Sequence, residues 1–450
     1  MRKYMKAIPL ALALACVGSG VAQAASLDNI LSGVQVDGKV RAYRFTRQFS
    51  PNDNIGTDKQ DVSAFSLGGI LNLHTDAAAD GWGFGASAFT AQSLGLNTGR
   101  VDSTLMGTKS QITALGQLYL QYRQPLYMVR AGDQELSTPW MSGSDSRVLP
   151  ATYQAVLLQI NPIDHLHVYA IRETAWKSRT SSNYFQNNLY YQSTWGGDDS
   201  HGGQPYTIGG TTPETAQKSS GTLAVGVDYK ANGLKARLWY YDFYRFANTY
   251  YGEATYTYKT GSGFNPFIGI QGMGQNLSSG KSFFGQYGTT AFGVGGDVNS
   301  QTYGAKIGVN VPHGSIFVAY DKVNYKANDF GGGVIVSPYT ANYATDPLWT
   351  TSMIRGLVEL GPGNAWKVKG TYKLFDNQLR LMAAYAKYNT HFKGNSTNTY
   401  GDITWFFRGT YLGMNLKGLS LRDRIEYSHG KLANGSNSFT YNRVMAEYDF

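Results

Sequence analysis

Basic side chains recur at every second residue in several short stretches of the chain. Lys39 and Arg41 stand in "VQVDGKVRAY", Lys367 and Lys369 in "AWKVKG", and Arg422 and Arg424 in "LSLRDRIEY". A spacing of two puts both members of each pair on one face of a β-strand and their apolar neighbours on the other. Arg380 between Leu379 and Leu381, Arg408 opposite Phe407, and Arg443 beside Val444 repeat the pattern singly. Such a face is suited to anions, because the arginine fork matches a carboxylate with two parallel hydrogen bonds. The same bases, taken one at a time, serve equally well to pair acids such as Asp37 and Glu426 and so hold strands together. Catalytic signatures are missing: there is no G-x-S-x-G, H-E-x-x-H or C-x-x-C. His165 and His167 share a strand face, but two ligands without a third make a poor metal site. Gly81, Gly83 and Gly85 follow strand period rather than a nucleotide loop. No cofactor, no metal and no enzymatic activity are expected, and no basic helix or patch suggests nucleic acid.

The elements that would position these bases are strands from one end of the chain to the other. Charged residues are only 15% of the sequence, while it holds 33 Tyr, 21 Phe, 8 Trp and 54 Gly. The start is a secretory leader: Arg2, Lys3 and Lys6, an apolar run over 8–17, and the small-residue pattern Ala22-Gln23-Ala24. This assigns 1–24 to a signal peptide and 25–450 to a single domain. The one cysteine, Cys16, leaves with the leader, so no disulfide is expected; a lipoprotein reading of Cys16 is weaker, because Ala13 stands where Leu is preferred. No later run is long and apolar enough for a spanning helix. Short turns rich in Pro, Gly, Asn and Asp fall at 75–81, 124–125, 161–165, 231–233, 261–263, 312–314, 375–377 and 417–418. Longer connections fall at about 46–62, 91–112, 133–152, 176–221, 247–253, 274–300, 324–363, 389–402 and 429–437. Eight turns and nine loops imply eighteen strands, the alternation of a transmembrane antiparallel β-barrel. Parity places the strand-like stretch 353–359 inside the seventh loop. Apolar residues face lipid and polar ones a wide, wet lumen, with aromatics as interfacial girdles. Barrel closure puts strand one beside strand eighteen, so the inward bases gather on six adjacent strands. The last strand ends on Phe450, outward with Val444, Ala446 and Tyr448.

The stretch "RAGDQELSTPWMSGSDSRVLPATYQAVLLQ" (130–159), above all its core "SDSRVLP", resembles the OprD family of substrate-specific outer-membrane porins. "GLSLRDRIEY", "LKARLWYYDFY" and "ANTYYGEATYTY" add to the likeness. The resemblance implies an eighteen-stranded, water-filled barrel with an inward-folded third loop and a basic ladder for small carboxylate-bearing solutes. It places a constriction at that loop, with Asp145, Ser146 and Arg147 on it and Arg130 on strand five. Asp145 and Arg147 are read equally as a salt bridge pinning the loop. The sequence departs from the family at Asp423, which alternation points at lipid where an apolar residue is usual. Three explanations are open: a rim position, a partner on the neighbouring strand, or a register shifted by one. The expected protein is a passive, substrate-selective porin of the Gram-negative outer membrane, monomeric or homotrimeric. Its expected partners are small solutes, membrane lipid and, through Phe450, the barrel-assembly machinery. A general diffusion porin, a barrel enzyme, and an adhesin acting through loops four and seven are the rivals.

Overall fold

A computed structural model describes residues 33–49, 61–75, 81–107, 110–144, 146–184, 186, 220–244, 247–277, 297–337, 339, 346–392, 394–432, 435–436 and 438–450. Residues 1–24, expected from the sequence to be a leader and including Cys16, lie outside the described residues, as does Asp145. Eighteen long strands follow one another in the chain: β1 (Val34–Phe49), β2 (Val62–Thr75), β3 (Trp82–Gln92), β4 (Gln111–Arg123), β5 (Tyr127–Gln134), β6 (Thr152–Ile163), β7 (Leu166–Lys177), β8 (Thr222–Ala231), β9 (Leu234–Phe243), β10 (Ala247–Thr257), β11 (Asn265–Leu277), β12 (Ser300–Val311), β13 (Gly314–Val323), β14 (Gly363–Leu374), β15 (Leu379–Thr390), β16 (Gly394–Phe406), β17 (Leu419–Leu432) and β18 (Phe439–Asp449). Each pairs antiparallel with its neighbours in sequence, and β18 pairs with β1 from Phe49↔Phe439 to Lys39↔Asp449. The sheet is therefore a closed barrel with no free edge.

At the seam the ladder reaches Phe450. The N–H and C=O of Phe450 exchange hydrogen bonds with Gly38, each 3.0 Å, extending the ladder by one residue. A Cβ at Gly38 would lie 2.7 Å from the Phe450 ring and 2.5 Å from the Ile70 carbonyl, so only glycine admits this close approach. Alternation places Val36, Val40, Leu238, Ile270 and Ile307 on the exposed outer surface. It fails within β4, where Gly116 is the extra residue of a bulge between the pairs Ser87↔Gln117 and Ala88↔Leu115, and again within β7, where Thr174 is extra between Gln154↔Ala175 and Ala155↔Glu173. Ile112 and Ala114 point inward beyond the β4 bulge, and Gln117, Tyr119 and Gln121 point inward before it. Asp423 is outward and exposed, paired at Asp423↔Val444, and its carboxylate accepts a 2.6 Å hydrogen bond from the Asn442 amide. The register is unshifted, and the partner is on the neighbouring strand.

The connections differ from expectation in four ways. The fifth loop is only 244–246, because "ANTYYGEATYT" alternates into β10 from Ala247 onward. The eighth is only 391–393, because β16 begins at Gly394. The turn after β16 spans 407–418 and holds a two-pair hairpin, Thr410–Tyr411 with Met414–Asn415. The seventh loop was expected outside, yet it folds into the lumen. Val334, Ile335, Val336, Tyr339, Leu348, Leu357 and Val358 are all buried. Stretch 353–359 is not a strand: it ends in the one-turn helix α2 (Leu357–Leu360), after α1 (Ser103–Met106) in the second loop.

Candidate functional site

The third loop crosses the lumen as expected. Trp140 is fully buried beside Tyr251, ring centroids 6.3 Å apart, and its backbone N–H reaches the Tyr241 hydroxyl at 3.4 Å. Farther along, Val148 rests against the bare backbone of Gly68 on β2. Arg41 on β1 donates from Nη1 to the Arg147 carbonyl at 2.5 Å and holds Glu447 in an ion pair. Arg179 donates to the Ser146 hydroxyl at 2.5 Å.

Loop seven is pinned by buried wall carboxylates that accept its hydrogen bonds. Asp321 on β13 takes the Thr350 N–H at 2.7 Å. Glu426 on β17 takes the Met353 N–H at 2.8 Å and the Ser352 hydroxyl at 3.0 Å. Glu173 on β7 takes the Tyr339 hydroxyl. Gln275 on β11 both donates to and accepts from the Val336 backbone, at 2.7 and 2.9 Å. Burying these carboxylates is tolerable because each meets several donors.

Between the two loops and the wall of β14–β18 lies a cavity of about 450 Å³. Loop three contributes Ser144, Ser146 and Arg147; loop seven contributes Asp346 and 351–353. The wall contributes Lys367 and Lys369 from β14, Arg380 from β15, Asp402 from β16, Arg422 and Arg424 from β17, and Arg443 from β18. Sequence alternation named all six of these wall bases. Asp402 is committed: Arg422 grips it with Nε at 2.9 Å and Nη2 closer, and Arg424 stands at 3.4 Å. Arg147, Lys367, Lys369, Arg380 and Arg443 have no carboxylate within ion-pair distance among the described residues. Arg443 is buried, its guanidinium 4.5 Å from the Phe45 and Tyr441 ring centres, with Nε and Nη1 lacking hydrogen-bond partners among the described residues. Lys367 donates to the Thr351 carbonyl at 2.8 Å, and Arg380 to the Thr404 hydroxyl at 3.1 Å. Burial pushes the Arg147 guanidinium down to about 10, helped by the nearby Arg443 charge. Burial likewise pushes the Asp346 carboxyl up to about 6, against the hydrogen bonds from Thr351 and the Leu348 N–H.

Four other residues named from sequence lie elsewhere. Lys39 is half-buried on β1 near Glu447 and Asp449, 3.9 Å from each. Arg41 is inward but saturated by Glu447 and loop three. Arg130 is inward on β5, yet it does not line the cavity. It lies 4.3 Å from the Tyr119 ring centre and donates to Gln121 at 2.9 Å. Arg408 is not on the wall: β16 stops at Phe406, and Arg408 is exposed in the following turn. His165 sits in a turn with φ 70°, and His167 binds Asn161 at 2.6 Å. The residues that sequence reasoning missed include Asp402, which fell in the loop expected at 389–402, together with Asp346 and 351–353. The apolar triplet at 334–336 and the strand-like stretch 353–359, inside a loop otherwise rich in turn formers, were the visible signals.

The model of the outer membrane porin, OprD family, matches residues 29–338. No curated protein matches the chain by sequence. Several solved structures share its fold. OpdK of Pseudomonas aeruginosa, solved with vanillate, aligns at TM-score 0.72 and 15% identity over 93% of this chain and 99% of its own. OpdG (OccK9) of the same organism aligns at TM-score 0.74 and 15% identity over 94% and 99%. OccAB3 of Acinetobacter baumannii aligns at TM-score 0.71 and 14% identity over 93% and 99%. At these identities the structures speak to fold, and the family match speaks to kind: the chain belongs to the OprD family of outer-membrane porins and resides in the Gram-negative outer membrane.

Proposed function

We propose that this porin passes small carboxylate-bearing solutes passively, guided by the cationic wall, without cofactor or chemistry on the solute. The observation that carries the reading is the charge of the cavity: seven bases line it against two acids, and Asp402 is already held by Arg422 and Arg424. In a lumen narrowed by two loops, such a wall lowers the energy of an anion along its route. Vanillate, held in the similar OpdK structure, is a carboxylate, and this supports the reading. The path runs past Arg424 and Arg443 to Lys369, Arg380 and Lys367, while Lys39, Arg41 and Arg130 brace the wall around it. The test is flux into liposomes of a carboxylate and a neutral solute of equal size. The carboxylate should pass several-fold faster, and the advantage should shrink in 1 M salt, where screening acts within about 3 Å. Equal fluxes would identify a general diffusion pore.

The seam supports a second part of the reading. Phe450 presents its ring outward at the rim while its backbone closes the barrel on Gly38. The assembly machinery reads this terminus. Deleting Phe450 should cut the yield of inserted barrel several-fold while the secreted, unfolded chain persists in the periplasm; normal insertion would refute it.

A further inference from the structure

The cavity's bases do not form one cluster. Asp402 on β16 divides them, with Arg422 and Arg424 turned onto it. By strand order Arg443 on β18 lies on one side, with Arg147 of loop three near it, and Lys367, Lys369 and Arg380 on β14 and β15 lie on the other. Lys369 on β14 and Arg443 on β18 are four strands apart, roughly 19 Å between backbones along the wall at about 4.8 Å per strand, and their inward side chains bring the charged ends closer than that. Both line the same cavity of about 450 Å³. Neither end has a carboxylate partner among the described residues, and Arg443 is buried with two unbonded nitrogens. A buried guanidinium without a counter-charge is costly, so the Arg443 end favours an anion, and the half-buried Lys369 and Arg380, with no ion-paired acid among the described residues, favour another. A single carboxylate answers only one end.

We propose that the preferred solute is a small dicarboxylate, one carboxylate held toward Arg443 and Arg147 and the other toward Lys369 and Arg380, spanning Asp402. This rests on the carboxylate reading above and sharpens it to a substrate class. A bridging dianion needs both ends at once. A monocarboxylate can use either end, so losing one end leaves it the other. The two valences must therefore respond differently to the same substitution.

The experiment measures half-saturating concentrations for flux through the reconstituted full-length porin. The probes are glutarate, valerate, 1,5-pentanediol and methyl phosphate, the first three with five carbons each. Glutarate should saturate at about tenfold lower concentration than valerate. Lys369→Gln and Arg443→Gln should each raise the glutarate value about tenfold and the valerate value at most about twofold, and Arg443→Lys should recover most of the glutarate loss. Folded amounts are matched by the heat-dependent shift of the barrel on gels. Equal values for glutarate and valerate, both below 1,5-pentanediol, would overturn the dicarboxylate class and leave the carboxylate reading standing. Anions no better than 1,5-pentanediol would overturn both. Methyl phosphate saturating below glutarate would mean that a compact dianion at one end is preferred, which also contradicts bridging. Equal losses of glutarate and valerate in the glutamine variants would overturn it as well.

Discussion

The two halves of the lumen treat charge in opposite ways. Along β7–β13 the interior is filled. Tyr169, Trp239, Tyr241 and Phe243 stack in a column with centroids 5.4, 5.7 and 5.3 Å apart, and Trp140 and Tyr339 pack among the same residues. On that side Asp228 holds Arg237 at 3.1 Å and Trp239 Nε1 at 2.9 Å, Lys306 lies 4.0 Å from the Trp349 ring centre, and Asp321 and Glu173 hold loop seven. Along β14–β18 the wall keeps Lys367, Lys369, Arg380 and Arg443 without an ion-paired acid among the described residues, and a cavity lies beside them. One half behaves as the core of a soluble protein turned inside a barrel, and it sets where the loops lie. The other half is left electrostatically unfinished, and on the proposed reading an anionic solute completes it. Substitutions in the first half should change the pore for every solute. Substitutions in the second should separate solutes by charge.

The largest expected effect breaks the filled half. Trp140→Ala removes a fully buried indole from loop three, a loss on the order of 3–5 kcal/mol of local packing. The loop should leave its position across the lumen. Single-channel conductance should rise severalfold, and carboxylate and neutral fluxes should converge. Unchanged conductance would show that the aromatic column does not hold the loop.

A smaller effect sharpens the charged half. The Asp346 carboxyl, pushed up to about 6 by burial, is mostly ionised at pH 7 and mostly neutral at pH 5. Its shift is upward, so its negative charge is lost as pH falls through 6, and the cavity becomes more cationic. Flux of a small sulfonate, which keeps its own charge throughout, should rise about twofold from pH 7 to pH 5. Asp346→Asn should show the higher flux at both pH values. A pH step that persists in the variant would place the titrating group elsewhere.

Sequence alternation revealed the wall well and the filling poorly. Strand period two is local, so Lys367, Lys369, Arg380, Arg422, Arg424 and Arg443 are inward as read, and even Asp423 kept its register. Where a strand ends is not local: nothing in the alternation of Trp405, Phe407 and Arg408 says that the ladder stops at Phe406. Loop seven was opaque for the same reason. Its turn-forming residues look like a surface loop, and what draws it inward is distant: Asp321 and Glu426 on the wall, and the aromatic column that receives Tyr339 and Val334. Those partners are far apart in sequence and close only after the barrel shuts. Arg130 was inward as read, but its distance from Arg147 depended on how far loop three travels.

The central claim is that the wall of β14–β18 selects by charge. Its most direct test is the reversal potential of single channels across a tenfold KCl gradient, for the wild type and for Arg424→Gln combined with Arg443→Gln. The account predicts an anion-selective wild type and a double variant whose reversal potential moves toward zero with conductance changed less than twofold. A cation-selective wild type, or a double variant with the same reversal potential as its parent, would contradict it.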